Sequence, residues 1–163
     1  MRSSVADDHV LKRLLAGDAV VLDGGVGTEL ERRGARMAEG AWCGPAALTA
    51  PETLKQVHLD YLQSGAEIVT ANTYAASRIM MRDAWLEDRC GDGVKAAVKI
   101  AQAARAAHGR DGVLVAGSLS HMTPMRAGTA TAEAALPSDD EMADAFGEVA
   151  QLLRDEGCDL ILL

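Results

Sequence analysis

Short apolar runs alternate with long stretches of helical periodicity along this chain, and that alternation limits the folds open to it. The runs lie at residues 19–22 (AVVL), 67–71 (EIVTA), 113–116 and 159–163. The first is short, continuous and rich in β-branched residues, as expected of a strand covered on both faces. Helical spacing fills the intervals. Val5, Val10, Leu11, Leu14 and Leu15 share a face over residues 5–16, and Gly17 stops that helix. A second helix opens at Pro51, carries Leu54, Val57, Tyr61 and Leu62, and ends at Gly65. Residues 77–86 are irregularly helical, whereas 92–108 form a clear helix closed by Gly109. Ser138 and Glu141 have capping-box spacing ahead of a helix that ends at Gly157. Residues 24–28, and the stretch containing Gly34, Gly40, Gly44 and Pro45, read as turn and loop.

Strands alternating with helices of this length imply a parallel sheet with crossover helices. Two architectures satisfy the pattern: a small doubly wound sheet of four strands, or half of an eight-stranded β/α barrel, for which roughly 250 residues is typical. The 163 residues stop inside an apolar strand, and the strands end in polar residues at equivalent places, Asp23, Asn72 and Ser118. Barrel enzymes place their chemistry at that end. The expectation is therefore an α/β fold of parallel β/α units. It is the N-terminal half of a (β/α)8 TIM barrel, with four strands, truncated after the fourth, and residues 1–163 form a single partial domain.

Composition narrows the function. Hydrophobic residues make up 48% of the chain, enough for a core, but aromatics are 3%, so the core is aliphatic. A formal charge of −8, with no cluster of Lys or Arg, excludes the electrostatic footprint of a nucleic-acid or anionic-membrane binder. The apolar run at 160–163 is far too short to span a bilayer, and charges interrupt the N-terminal apolar stretch, unlike a secretory signal. Three scattered cysteines, at 43, 90 and 158, give no disulfide framework and suit a reducing, cytoplasmic setting. By position Cys43 falls at the top of the fold, Cys158 at the bottom and Cys90 at an outer helix start, so a metal site built from them is not expected.

The run Asp23-Gly24-Gly25-Val26-Gly27-Thr28 does not meet the dinucleotide fingerprint G-x-G-x-x-G, and no acidic residue ends the second strand. A tight turn explains the glycines but leaves Asp23 unexplained. A carboxylate at a strand end needs a partner, either a ligand ammonium or the turn's own N–H groups. Asn72-Thr73-Tyr74 is compatible with an Asx-type turn and a packed tyrosine. Gly117-Ser118-Leu119-Ser120-His121 brings Ser and His close in sequence but lacks the nucleophile elbow G-x-S-x-G. His58 reads as a packing or surface residue of its helix. His108 is at a helix C-terminus, where a cation is favoured.

Taken together, these segments resemble the homocysteine S-methyltransferase family. The resemblance is carried by VLDGGVGTEL (20–30), Trp42, PETLKQVHLDYLQSGAEIVTANTYAAS (51–77), VAGSLS (115–120) and FGEVAQLLRDEGCDLILL (146–163). It implies a homocysteine-binding β/α barrel enzyme that transfers a methyl group to the thiol of homocysteine, a step of methionine biosynthesis. In that family a zinc ion on three cysteines binds the sulfur as thiolate, because a free thiol is a poor nucleophile near neutral pH. The donor is a sulfonium, a quaternary amine or a folate or corrinoid carrier. By the same resemblance Asp23 holds the amino-acid end of homocysteine, Gly24 and Gly25 shape the turn beside it, and Asn72 is the polar residue of the second strand end. Trp42 and Tyr74 face the donor, where a ring can meet a cation. The family's zinc cysteines lie on its sixth and eighth strands and its ammonium-binding glutamate follows the fourth. This sequence has neither. The chain is thus expected to carry no zinc, to be inactive alone, and to pair as a homo-oligomer or with a complementing C-terminal half. The alternative is a non-catalytic small-molecule-binding or regulatory α/β module that takes an anion at residues 24–28.

Overall fold

The computed structural model describes residues 5–82, 84–120 and 137–163. In chain order the elements are α1 (Val5–Leu15), α2 (Val26–Arg32), α3 (Ala46–Thr49), α4 (Pro51–Gln63), β1 (Ile68–Ala71), α5 (Arg78–Arg82), a 3-10 turn at Glu87–Arg89, α6 (Cys90–His108), β2 (Leu114–Ser118), α7 (Asp139–Asp155) and β3 (Leu160–Leu162). His121, Pro124 and Gly128 lie outside the described residues.

The sheet order is β1-β2-β3, all parallel, with Ile68 opposite Leu114 and Ala116 opposite Leu160. The order follows the chain without the reversal that defines a doubly wound sheet. The helices α4, α6 and α7 also keep to one face. Val69, Ala71 and Val115 pack with Leu54, Val57 and Leu62 of α4, Val94, Ala97 and Val98 of α6, and Val149 and Leu153 of α7. The alternate residues Ile68, Leu114 and Ala116 point the other way, against Val10, Val20, Leu160 and Leu162. A parallel sheet with its crossover helices on one face is the arrangement from which a barrel wall is made.

The expected first strand at 19–22 is corrected. Leu22 makes a single parallel bridge to Ile68, supported by Asp23 N–H donating to Ile68 O at 3.0 Å and Glu67 N–H donating to Val21 O at 2.8 Å. The described sheet therefore has three strands and a one-residue fourth rung rather than four strands. Val21 and Leu22 are 52% and 48% exposed, because this segment meets a neighbour on one edge and lacks a cover on its outer side. Glu67 ties it down: its carboxylate accepts from Val21 N–H at 3.1 Å and pairs with Arg13 of α1.

The other boundaries differ by small amounts. The third apolar run extends to Ser118, and α6 begins at Cys90 rather than 92. Gly65, Gly109 and Gly157 all take positive φ behind helices, as their positions predicted. Ser138 Oγ accepts from Glu141 N–H at 3.2 Å, which is half of the capping box. The Glu141 carboxylate pairs instead with Arg82, across to α5. Helices α2 and α3 occupy stretches read as turn and loop. On α1, Leu11, Leu14 and Leu15 are exposed, so the apolar face expected there is left uncovered by this fold.

Candidate ligand-binding site

Strand ends and the loops that follow them enclose a cleft of about 500 Å3. Its lining includes all six residues singled out above: Asp23, Gly24, Gly25, Trp42, Asn72 and Tyr74. Thr70, Cys43 and Ser118 also reach it.

Asp23 follows the Leu22 bridge, so its carboxylate faces β1. Oδ2 accepts from Thr70 N–H at 2.7 Å and Oδ1 from Thr70 Oγ1–H at 2.6 Å. The partner is thus the neighbouring strand, and neither the turn's N–H groups nor a ligand is needed to satisfy it. Burial pushes the Asp23 carboxyl above its ordinary range, while the two Thr70 hydrogen bonds pull the other way. A carboxylate has about four acceptor sites, and Thr70 takes two of them. Asp23 also lines the cleft, so its carboxylate borders the space that a ligand cation would enter.

Gly24 is small for a steric reason. A Cβ there would come within 2.8 Å of the Tyr61 hydroxyl on α4. Gly27, at the second position of α2, allows the Trp42 ring and the Cys43 thiol to lie against the helix, since a Cβ would approach each to 2.7 Å. Tyr74 is exposed at the rim, 45% accessible, so the packed tyrosine expected for an Asx turn is corrected. The Asn72 side chain makes no Asx turn either. It is buried and bonds across to Cys43. Thr73 clamps the sheet instead: its hydroxyl donates to Ser118 O at 2.8 Å and accepts from Ser118 N–H at 3.0 Å.

The cysteines are free thiols, and burial pushes each up to about 11. Cys90 is buried rather than on the outside, with its thiol 3.0 Å from Ala76 O. Among the described residues no three His, Cys, Asp or Glu side chains gather as a metal site would require. His58 proves to be a packing residue, fully buried on α4.

Sequence reasoning missed Thr70, Thr73 and Tyr61. Thr70 left a trace as the polar residue of an otherwise apolar strand. Tyr61 was read as one of several apolar positions on its helix.

A singly wound β/α fold whose C-terminal strand ends carry a mostly apolar cleft, edged by Asp23, Thr70, Asn72 and Ser118, is the layout of barrel-type β/α proteins. Comparison narrows it. The sequence model of the homocysteine S-methyltransferase family matches residues 20–163, and the chain belongs to that family. A selenocysteine methyltransferase from Astragalus bisulcatus is 38% identical over 91 residues, covering 55% of this chain and 27% of that protein. Homocysteine S-methyltransferase 4 from Zea mays is 34% identical over 98 residues, covering 60% and 29%. The crystal structure of the metallated homocysteine methyltransferase MmuM from Escherichia coli superposes with a TM-score of 0.72 at 28% identity. That match covers 93% of this chain and 55% of the bacterial one, so the chain spans about half the length of that relative. No helix among the described residues is long and apolar enough to cross a membrane.

Proposed function

We propose that this chain supplies the strand-end wall of a methyl-transfer site that takes homocysteine and a sulfonium or quaternary-amine methyl donor. The observation that carries the reading is the convergence of Asp23, the Gly24–Gly25 turn, Asn72, Trp42 and Tyr74 on one cleft. In it, Asp23 accepts from the ammonium of homocysteine, and the aromatic faces of Trp42 and Tyr74 meet the cationic donor. The bond from the donor's cationic sulfur or nitrogen to the methyl group breaks, that atom keeps the bonding pair and becomes neutral, and the methyl group joins the homocysteine sulfur, whose proton is removed by groups beyond this half.

The family's zinc does not fit the residues described. The Cys43 and Cys90 thiols are spent on separate acceptors, Asn72 and the carbonyl of Ala76, and burial holds both protonated. Sulfur activation is therefore assigned to residues beyond this half, and the 163-residue chain alone is proposed to be inactive and zinc-free. Its partner is a second β/α half, supplied by another copy or by a complementing C-terminal half. A reducing cytoplasmic setting suits its free thiols.

Calorimetric titration with homocysteine tests this. The chain is expected to bind weakly, and Asp23→Asn is expected to weaken binding about tenfold or more, as loss of a charge-assisted hydrogen bond implies. Equal isotherms for the two, or no binding by the unaltered chain, overturn the reading.

A further inference from the structure

Asn72 has the chemistry of a ligand-binding amide and lines the cleft, yet both of its hydrogen bonds are made to Cys43. Its Nδ2 donates to Cys43 O at 2.8 Å, and the Cys43 thiol lies 3.3 Å from its Oδ1 and donates back. The amide orientation follows from chemistry: a backbone carbonyl can only accept, so nitrogen must face it. Both residues are buried, at 5% and 2% exposure. The two hydrogen bonds close a ring between the end of β1 and the loop that carries Trp42.

That loop has little slack. Trp42 sits at φ +45°, a left-handed conformation that a residue other than glycine holds where its surroundings impose it. Its carbonyl accepts from Ala38 N–H at 2.8 Å. Its ring edge lies over Gly27, and Gly44 is pressed so close to Ala75 O that a Cβ would stand 2.2 Å from it. Among the described residues, it is the Asn72 side chain that hydrogen-bonds this loop to the end of β1.

We infer that Asn72 is a positioning residue: its amide grips Cys43 and so fixes the Trp42 ring as a wall of the cleft. The inference deepens the reading of Trp42 as the surface that meets the donor cation, and rests on it for its functional meaning. Its mechanical content stands separately.

The chain has two tryptophans, and Trp85 is 94% exposed, so Trp85→Phe isolates the emission of Trp42. In that background, Asn72→Ala and the isosteric Asn72→Asp are expected to raise acrylamide quenching of Trp42 at least twofold. Asn72→Asp matters because it keeps shape and the acceptor for the thiol but turns a carboxylate oxygen toward the Cys43 carbonyl. Cys43→Ala, which retains that carbonyl, is expected to leave quenching near the parent level. Unchanged quenching in either folded Asn72 variant overturns the inference. Should neither variant fold, hydrogen exchange of the Asn72 side-chain amide in the unaltered chain decides: slow exchange is expected, and exchange at the solvent rate overturns it. Tetramethylammonium chloride then probes the donor reading. It is expected to quench Trp42, with about fivefold weaker apparent affinity in the Asn72 variants. A locked Trp42 that ignores the cation overturns the functional reading while leaving the positioning role in place.

Discussion

His58 is buried on α4, and both of its ring nitrogens lack a hydrogen-bond partner among the described residues. Burial in apolar surroundings favours the neutral ring and pushes its pKa down to about 4, from 6.5 in the unfolded chain. The unfolded state therefore binds more protons between those values. The stability that depends on a neutral His58 is fully present above pH 6.5 and is lost as pH falls through about 4. The shift corresponds to about 3 kcal/mol by pH 4. Urea unfolding at a series of pH values should show this decline, and His58→Leu should flatten it while raising stability at pH 7 by about 1 kcal/mol, since two unsatisfied polar atoms leave the core. Parallel pH profiles for the two proteins would refute the assignment. Legibility at this scale was uneven. Asp23 could be read as a carboxylate in need of a partner, but Thr70 could not be named, because the pairing of Leu22 with Ile68 decides which residue faces it. Likewise Asn72 was visible as a strand-end polar residue, while its bond to Cys43 depends on how a loop 29 positions away folds back.

Elements with a full period of apolar spacing and a chemical stop were legible: α4 behind Pro51, α6 closed by Gly109, and α7 behind Ser138. The seven residues of α2 and four of α3 are too short to display a 3.6-residue repeat, and they form because loops on either side pack them against α4 and α6. The 19–22 run shows the opposite failure. Its composition suits a strand, yet composition cannot supply a second neighbour, and one bridge results. The cap of α7 gives a clean test. Ser138 satisfies one of the four N–H groups a helix start leaves unpaired, and Asp139, Asp140 and Glu141 add negative charge where the helix dipole favours it. Ser138→Ala should cost about 1 kcal/mol and Ser138→Asp should cost almost nothing, read as shifts in urea midpoint at constant slope. Equal losses for both variants would show that the hydroxyl packs rather than caps.

At the scale of the molecule, α4, α6 and α7 cover one face of the sheet, while among the described residues the other carries only Val10 of α1 and Val20 beside the strands' own side chains and is largely open. The open face presents a groove of about 450 Å3 lined by Val10, Leu11, Leu14, Leu22, Ile68 and Leu160 among others, almost entirely apolar. Both sheet edges are also free of a further strand among the described residues, Leu22 on one side and β3 on the other. Unpaired edges and a contiguous apolar face favour association. Against this stands the charge of −8, which makes copies of the chain repel one another. Repulsion between exposed charges is screened by salt, whereas apolar burial is not weakened by it. The 163-residue chain should therefore show a weight-average mass that rises above 17.1 kDa with concentration, and rises more steeply at 0.5 M than at about 0.05 M salt. Leu11→Glu with Leu14→Glu should return the mass toward the monomer while leaving the helical signal intact, since both side chains are more than half exposed and lend little to the core. Sedimentation equilibrium at three concentrations and two salt levels separates the outcomes. A mass of 17.1 kDa throughout would mean that the open face is tolerated in water, and the pairing of two copies would fall, leaving only a complementing C-terminal half as the partner.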